Sequence, residues 1–252
     1  MTDSILLPTR KDEAWRYSDI DALQDSAPET FEAWEDVRVA KGETWRDLII
    51  VDGEEGLQMR RLRIAIEEGA RAEIAALVAG GQLGRLEVVV TLAEGAHFEL
   101  GGITLGGDDT TREIVTRLAH EKPDATSNQT VRSVHWGKGT GNFLGRIDVA
   151  RDAQKTDAAQ SFKGLLLEKG ASVNCVPQLE IFADDVKCAH GATVGQLDEA
   201  ARYYMASRGL PPETIRRLLV QAFLGDATRE LESEETREAL LNAALERLEE
   251  RA

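Results

Sequence analysis

Cys188 and His190 are the two residues whose types and spacing bear most directly on chemistry. A thiolate and a neutral imidazole suit iron, zinc or copper(I). If Val186 to His190 is extended, side chains alternate between faces, so Cys188 and His190 share one face while Lys187 and Ala189 take the other. Two donors leave a tetrahedral site half empty, so any metal held here needs donors from elsewhere. The other cysteine, Cys175, lies thirteen residues upstream and forms neither a CxxC pair nor a ferredoxin-like run. On spacing alone the favoured reading is a small buried thiol beside a hydrogen-bonded histidine, since short motif matches arise often by chance.

Other candidate constellations are weaker. Gly137-Lys138-Gly139-Thr140-Gly141 lacks the GxxxxGK[ST] spacing and leads into the strand-like Phe143 to Val149, which points to a β-turn and not a phosphate loop. Gln154 to Gln160 is polar within a strand-rich region and reads as a polar ladder along one face, with no nucleophile or histidine at a defined distance. His97, His120 and His135 are isolated and read as satisfied surface or core residues. Paired carboxylates, a nucleophile elbow and a dinucleotide fingerprint are all missing from the sequence, so nothing local argues for an autonomous enzyme.

The elements that must position Cys188 and His190 are short strands. From Leu48 to about Phe182, segments such as Leu62 to Ile66 and Arg85 to Leu92 alternate with period two and are broken by glycine or charged turns. Ile66-Glu67-Glu68-Gly69-Ala70, Leu92-Ala93-Glu94-Gly95-Ala96 and Leu167-Glu168-Lys169-Gly170-Ala171 suggest a repeat of 25 to 26 residues. Short strands cannot bury their apolar faces alone, whereas stacked coils can, which predicts a parallel β-helix. An antiparallel β-sandwich is the competing fold, although it does not require the repeated corner.

Before the strands, Leu7 to Tyr17 offers Thr9 as an N-cap with Trp15 and Tyr17 as aromatic anchors, predicting a short helix. After Gly195 the pattern becomes helical. Leu197 to Ser207 ends at Gly209 as a C′ residue, Pro211-Pro212-Glu213 opens a second helix, and a third follows from about Ser233 with Leu240, Leu241, Ala244, Leu245 and Leu248 on one side. Such stripes either cap the open end of a solenoid or dock into a partner, capping being the commoner fate. The expected organisation is an N-terminal segment over 1–47, partly helical, a β-helix core over 48–195 and a helical domain over 196–252.

Composition narrows the partners. The chain has 252 residues and a formal net charge of −15, from 45 acidic and 30 basic side chains. That charge opposes binding to phosphate backbones and anionic membranes, so neither nucleic acid nor membrane is an expected partner. No apolar run approaches the roughly 20 residues needed to cross a bilayer, and Met1 to Arg16 has no apolar signal core. Two cysteines without an export signal predict a cytoplasmic protein with reduced thiols.

Taken together, Leu7-Pro8-Thr9-Arg10-Lys11-x-Glu13-x-Trp15-Arg16-Tyr17, Gly141-x-Phe143-x-Gly145-x-Ile147-x-Val149, Ala153-Gln154-Lys155-Thr156-Asp157-Ala158-x-Gln160, Pro177-x-Leu179-Glu180-Ile181, Cys188-x-His190-Gly191-Ala192-Thr193-Val194-Gly195 and Ser207-Arg208-Gly209 resemble the SufB/SufD family of the SUF iron–sulfur cluster assembly system, and its SufD branch in particular. The resemblance is dense over Leu7 to Tyr17 and from about Phe143 to Phe223. It implies a right-handed parallel β-helix followed by a C-terminal helical domain, acting as a non-catalytic scaffold. It also implies edge-to-edge pairing with a SufB-like paralogue and binding of the SufC ABC-type ATPase through the C-terminal helices, with Leu197, Tyr203, Tyr204, Ser207, Arg208, Ile215, Leu218, Leu219 and Phe223 as candidate contacts. A nascent iron–sulfur cluster shared with SufB would use His190, with Cys188 as its neighbour, while flavin participation stays open.

The chain is shorter than typical family members, implying fewer coils. By analogy Cys175 inherits no role, and no sulfur-accepting cysteine is expected. The functional alternative is a β-helix enzyme of the polysaccharide lyase or acyltransferase type working in a groove. Such an enzyme needs convergent acid, base or electrophile residues on one face, and none are evident beyond Cys188 and His190.

Overall fold

The computed structural model describes residues 7–24, 26 and 29–249. Twelve strands form two six-stranded sheets in which every ladder is parallel. The first sheet holds β1 (Glu35–Val39), β3 (Leu57–Ile66), β5 (Leu83–Leu92), β7 (Thr111–His120), β9 (Thr140–Val149) and β11 (Ser172–Ile181). The second holds β2 (Thr44–Val51), β4 (Arg71–Val78), β6 (His97–Gly106), β8 (Thr126–His135), β10 (Asp157–Leu166) and β12 (Lys187–Gly195). Each strand pairs with the one two further along the chain, so six coils stack into a β-solenoid, and the antiparallel sandwich is excluded. The strands start at Glu35, upstream of Leu48.

One corner explains the repeated glycine. Gly42, Gly69, Gly95, Asp124 and Lys155 all have φ between 60° and 72°. Each donates its backbone N–H to the residue just before its counterpart in the next coil: Gly42 to Glu68, Gly69 to Glu94, Gly95 to Pro123 and Asp124 to Gln154. Glycine adopts this left-handed geometry without steric cost, which is why it fills the first three positions. Gly170 does not belong to this series. It lies on the opposite edge, between β10 and β11, stacked on Gly137. The expected even spacing is therefore corrected, because coil length grows along the chain: Leu57 faces Leu83, 26 residues on, whereas Thr140 faces Ser172, 32 residues on.

The polar segments resolve into corners as well. Gly137 (φ 56°) and Gly139 form the turn between β8 and β9, and a Cβ on Gly139 would come within 2.5 Å of the Gly106 carbonyl oxygen. Gln154 to Thr156 likewise round a corner, where Gln154 Oε1 accepts the Asp185 N–H at 2.9 Å. The expected surface ladder from Gln154 to Gln160 is thus not formed, since Gln160 turns into the interior and is 3% exposed.

Between the sheets lies an apolar core that includes Ile74, Leu86, Val88, Val90, Phe98 and Leu100. Phe143 and Phe162 stack across it with ring centroids 5.8 Å apart. Burying each such side chain contributes about 1.5–3 kcal/mol. The outer faces of the two sheets are covered differently.

Residues before β1 pack on the outer face of the first sheet. Trp15, Leu23, Phe31 and Leu83 form a small core there, and the buried Arg85 guanidinium lies 3.8 Å from the Trp15 ring centroid. Glu113 anchors this layer by accepting from Arg85 Nη1 (2.6 Å), Ser18 Oγ (2.8 Å) and Asn142 Nδ2 (2.6 Å). The expected N-terminal helix is a 3-10 turn over Glu13–Trp15, with another over Asp21–Leu23 and a short helix α1 (Glu29–Glu32). Thr9 does not cap it, because its N–H and hydroxyl both donate to the Asp12 carboxylate, at 2.8 and 3.1 Å.

The C-terminal helices α2 (Glu199–Ser207), α3 (Pro212–Gly225) and α4 (Glu234–Glu249) start and stop where local chemistry dictates. Asp198 caps α2 by accepting from Ala200 and Ala201, Gly209 follows it at φ 83°, and Ser233 Oγ accepts the Thr236 N–H at the start of α4. Val220, Leu224, Leu240 and Ala244 pack on Leu77, Ile103, Leu105 and Val134, which face outward from the second sheet. α3 and α4 therefore line the flank of the solenoid instead of capping its end, and α2 packs against α3. Among the described residues, no helix is long and apolar enough to cross a membrane.

Candidate metal centre at the open coil

β11 and β12 are the last strands of their sheets, so each keeps one edge without a strand partner among the described residues. Pro177 is tolerated in β11 as proline generally is on edge strands. β12 is exposed along nearly all its length, and Phe182 in the corner before it is 56% exposed. The solenoid thus ends in an uncovered coil with free backbone donors and acceptors.

Cys188 and His190 lie on β12, in register with Ala158 and Gln160 of β10. Ala158 and Gln160 face the interior, so Cys188 and His190 share the inward face at the mouth of the solenoid, as the alternation predicts. Cys188 is half-buried and packs against the core, whereas His190 is exposed. Burial, reinforced by the nearby Asp157 carboxylate, raises the Cys188 thiol above its ordinary value, so metal binding there would have to displace the proton. Cys175 on β11 also packs against the core, and burial pushes its thiol up to about 12, the state of an inert structural cysteine. Among the described residues, no three His, Cys, Asp or Glu side chains come together as a metal site. The coil places Cys188 and His190 on one face.

The remaining histidines are structural. His97 Nδ1 lies 2.6 Å from Thr126 Oγ1, His120 Nε2 lies 2.9 Å from Ser127 Oγ, and His135 Nε2 lies 2.9 Å from Ser133 Oγ. A groove of about 370 Å³ between the N-terminal layer and the first sheet, lined in part by Tyr17, Trp34, Val115, Leu144 and Arg146, is remote from Cys188 and His190 in the fold.

The expected partner contacts divide by exposure. Tyr203 and Tyr204 are 79% and 59% exposed on α2, Ser207 and Arg208 are exposed beside them, and Leu218 is exposed on α3. Ile215 is buried, and Leu197 and Phe223 pack with the layer that holds α3 to the sheet, so these three serve internal packing; Leu219 is partly buried. Directly beneath His190 in the same inward file is Gln160, buried in the solenoid interior.

The family model described as the SUF system FeS cluster assembly SufBD core domain matches residues 37–223, from the first coil through α3. This chain belongs to the SufB/SufD core family. It is similar to the iron–sulfur cluster assembly protein SufD of Escherichia coli, 39% identical over 133 residues, which is 53% of this chain and 31% of that protein. It is similar to protein ABCI7, chloroplastic, of Arabidopsis thaliana, 33% identical over 178 residues, covering 70% of this chain and 38% of the relative. SufD of Bacillus subtilis is 31% identical over 134 residues, covering 47% and 31%. The matches thus span about a third of the length of these SufB/SufD relatives.

Proposed function

We propose that this chain is a non-catalytic scaffold subunit for iron–sulfur cluster assembly, pairing through its open coil with a SufB-like paralogue and binding a SufC-type ATPase through its C-terminal helices. The observation that carries the reading is the position of Cys188 and His190 on the inward face of a terminal strand that has one free edge. A partner strand laid along β11 or β12 satisfies the free backbone groups and brings further donors to the same place. That would complete the donor set, with the cluster as cargo shared between two chains. Tyr203, Tyr204, Arg208 and Leu218 are exposed on the helical layer, which suits an ATPase contact. Family membership and the SufD relatives support the assembly role.

His190→Ala tests this reading in a complex co-expressed with SufB- and SufC-type partners. An exposed edge residue should leave folding and ATPase binding intact while sharply reducing iron and acid-labile sulfide per folded complex. Wild-type cluster content in that variant would remove His190 from the site.

A further inference from the structure

One inward file of the second sheet is polar. Gln129 on β8, Gln160 on β10 and His190 on β12 are consecutive register partners, whereas the next position down is Leu100 on β6. Neighbouring strands lie about 4.8 Å apart, so the three side chains stand one above another up to the solenoid mouth. The amide of Gln160 points to the core: a Cβ on Gly145 of the facing sheet would come within 2.8 Å of its Nε2. Both Gln160 Nε2 and Oε1 are buried without a hydrogen-bond partner. In the same file, Gln129 Oε1 accepts from Thr116 Oγ1 at 2.5 Å while its Nε2 has no partner.

A buried amide without partners is costly and calls for an explanation. The polar groups in its file are Gln129 on the core side and His190 at the mouth. We propose that Gln160 is the positioning residue of His190. Its Oε1 accepts the N–H of the inward imidazole nitrogen, which fixes the tautomer and leaves the outward nitrogen with its lone pair at the open end. Its Nε2 then donates to the second lone pair of Gln129 Oε1, so the file terminates on Thr116. A metal-binding histidine is oriented in this way by an acceptor on its other nitrogen. The inference rests on the reading of His190 as a shared-site ligand and adds the group that aims it.

Gln160→Leu removes the amide and fills similar space. The expected result has three parts: a Tm that changes little, because the buried apolar surface of leucine offsets the two hydrogen bonds lost; about tenfold less iron and sulfide per folded co-expressed complex, the usual cost of losing such a partner; and, in the isolated chain, mixed tautomers of the His190 ring by nitrogen NMR at a pH well above the imidazole range, with His190→Ala supplying the assignment. Gln160→Glu keeps an acceptor at the same reach and should recover most of the iron. Wild-type iron and a single His190 tautomer in Gln160→Leu overturn the proposal. So does a fall in Tm with iron decreasing only in proportion to folded protein, since that marks a core residue. If His190→Ala loses iron while Gln160→Leu does not, only the positioning role fails; if His190→Ala retains iron, the shared-site reading itself fails.

Discussion

Lowering the pH should destabilise the solenoid through two histidines that the fold keeps neutral. His120 and His135 are fully buried. Desolvation holds His120 at about 4, and desolvation with the nearby Arg112 guanidinium holds His135 at about 3, both below the ordinary 6.5. In the unfolded chain each imidazole binds a proton below 6.5, while in the folded chain it does not until far lower pH. The unfolded state therefore binds more protons across this window, and stability falls as pH falls. Between about pH 7 and pH 5 each histidine removes roughly 2 kcal/mol, and the two together roughly 4 kcal/mol. This loss barely depends on where between 3 and 4 the folded values sit, because both lie below the window.

Glu99 acts in the opposite sense, since burial raises its carboxyl and its protonation favours the fold on acidification. Urea midpoints measured across the pH series, at constant m, read the net effect. The double variant His120→Gln with His135→Gln keeps a hydrogen-bonding group at each site and removes the titration. Its stability should fall with acid by roughly 4 kcal/mol less than that of the parent chain over the same window. Parallel pH profiles for parent and variant would refute the argument.

Other expectations follow from the packing. Gly95→Val should cost roughly 2 kcal/mol in a denaturant titration, because φ is 63° in open surroundings and the penalty is conformational; Gly95→Asn should cost less than half as much, and equal stability of all three proteins would reject the strain argument. Glu113→Ala should cost about 3–5 kcal/mol by stranding the buried Arg85, and should open the segment before Glu35 to protease; an unchanged digestion pattern contradicts the anchoring role. Tyr203→Ala with Tyr204→Ala should abolish pull-down of the SufC-type ATPase with Tm unchanged, since both rings are exposed, and retained binding would move the contact elsewhere. Deleting everything after Gly195 is the poorer test, because it would bare Leu77, Ile103, Leu105 and Val134 and should yield aggregated protein; a soluble, β-rich product would contradict the flank packing.

The parts of the fold that were legible in the sequence are those governed by local chemistry. Gly209, Pro212 and Ser233 mark helix ends because capping is decided within a turn of chain, whereas the helix expected from Leu197 starts at Glu199, behind the Asp198 cap. Gly69 and Gly95 revealed the stacked corner, but Asp124 and Lys155 hold the same left-handed position without the glycine signature, and the lengthening coils defeat a fixed period. What the solenoid keeps constant is strand register, which chain spacing does not report. The seat of the helices was harder to see, since an apolar stripe does not name the surface it covers. Ile74-Ala75-Ala76-Leu77-Val78, apolar on both faces, was the available sign that the second sheet is buried on its outside too. At the candidate site, alternation alone placed Cys188 and His190 on one face. Nothing local could show that the face looks into the open end of a stack.

Among the described residues, the two ends of that stack are unequal in the first sheet. β11 presents ten residues along its free edge, whereas β1 at the opposite end of the same sheet offers five, with Glu35, Asp36 and Arg38 exposed. A second copy laid head to tail could match only half of the long edge, and it would bring charged side chains to the join. Stacked coils with equal ends are prone to one-dimensional growth, each molecule templating the next. In this sheet the mismatch works against end-to-end growth of a single chain, whereas β2 and β12, at eight and nine residues, nearly match at the two ends of the other sheet.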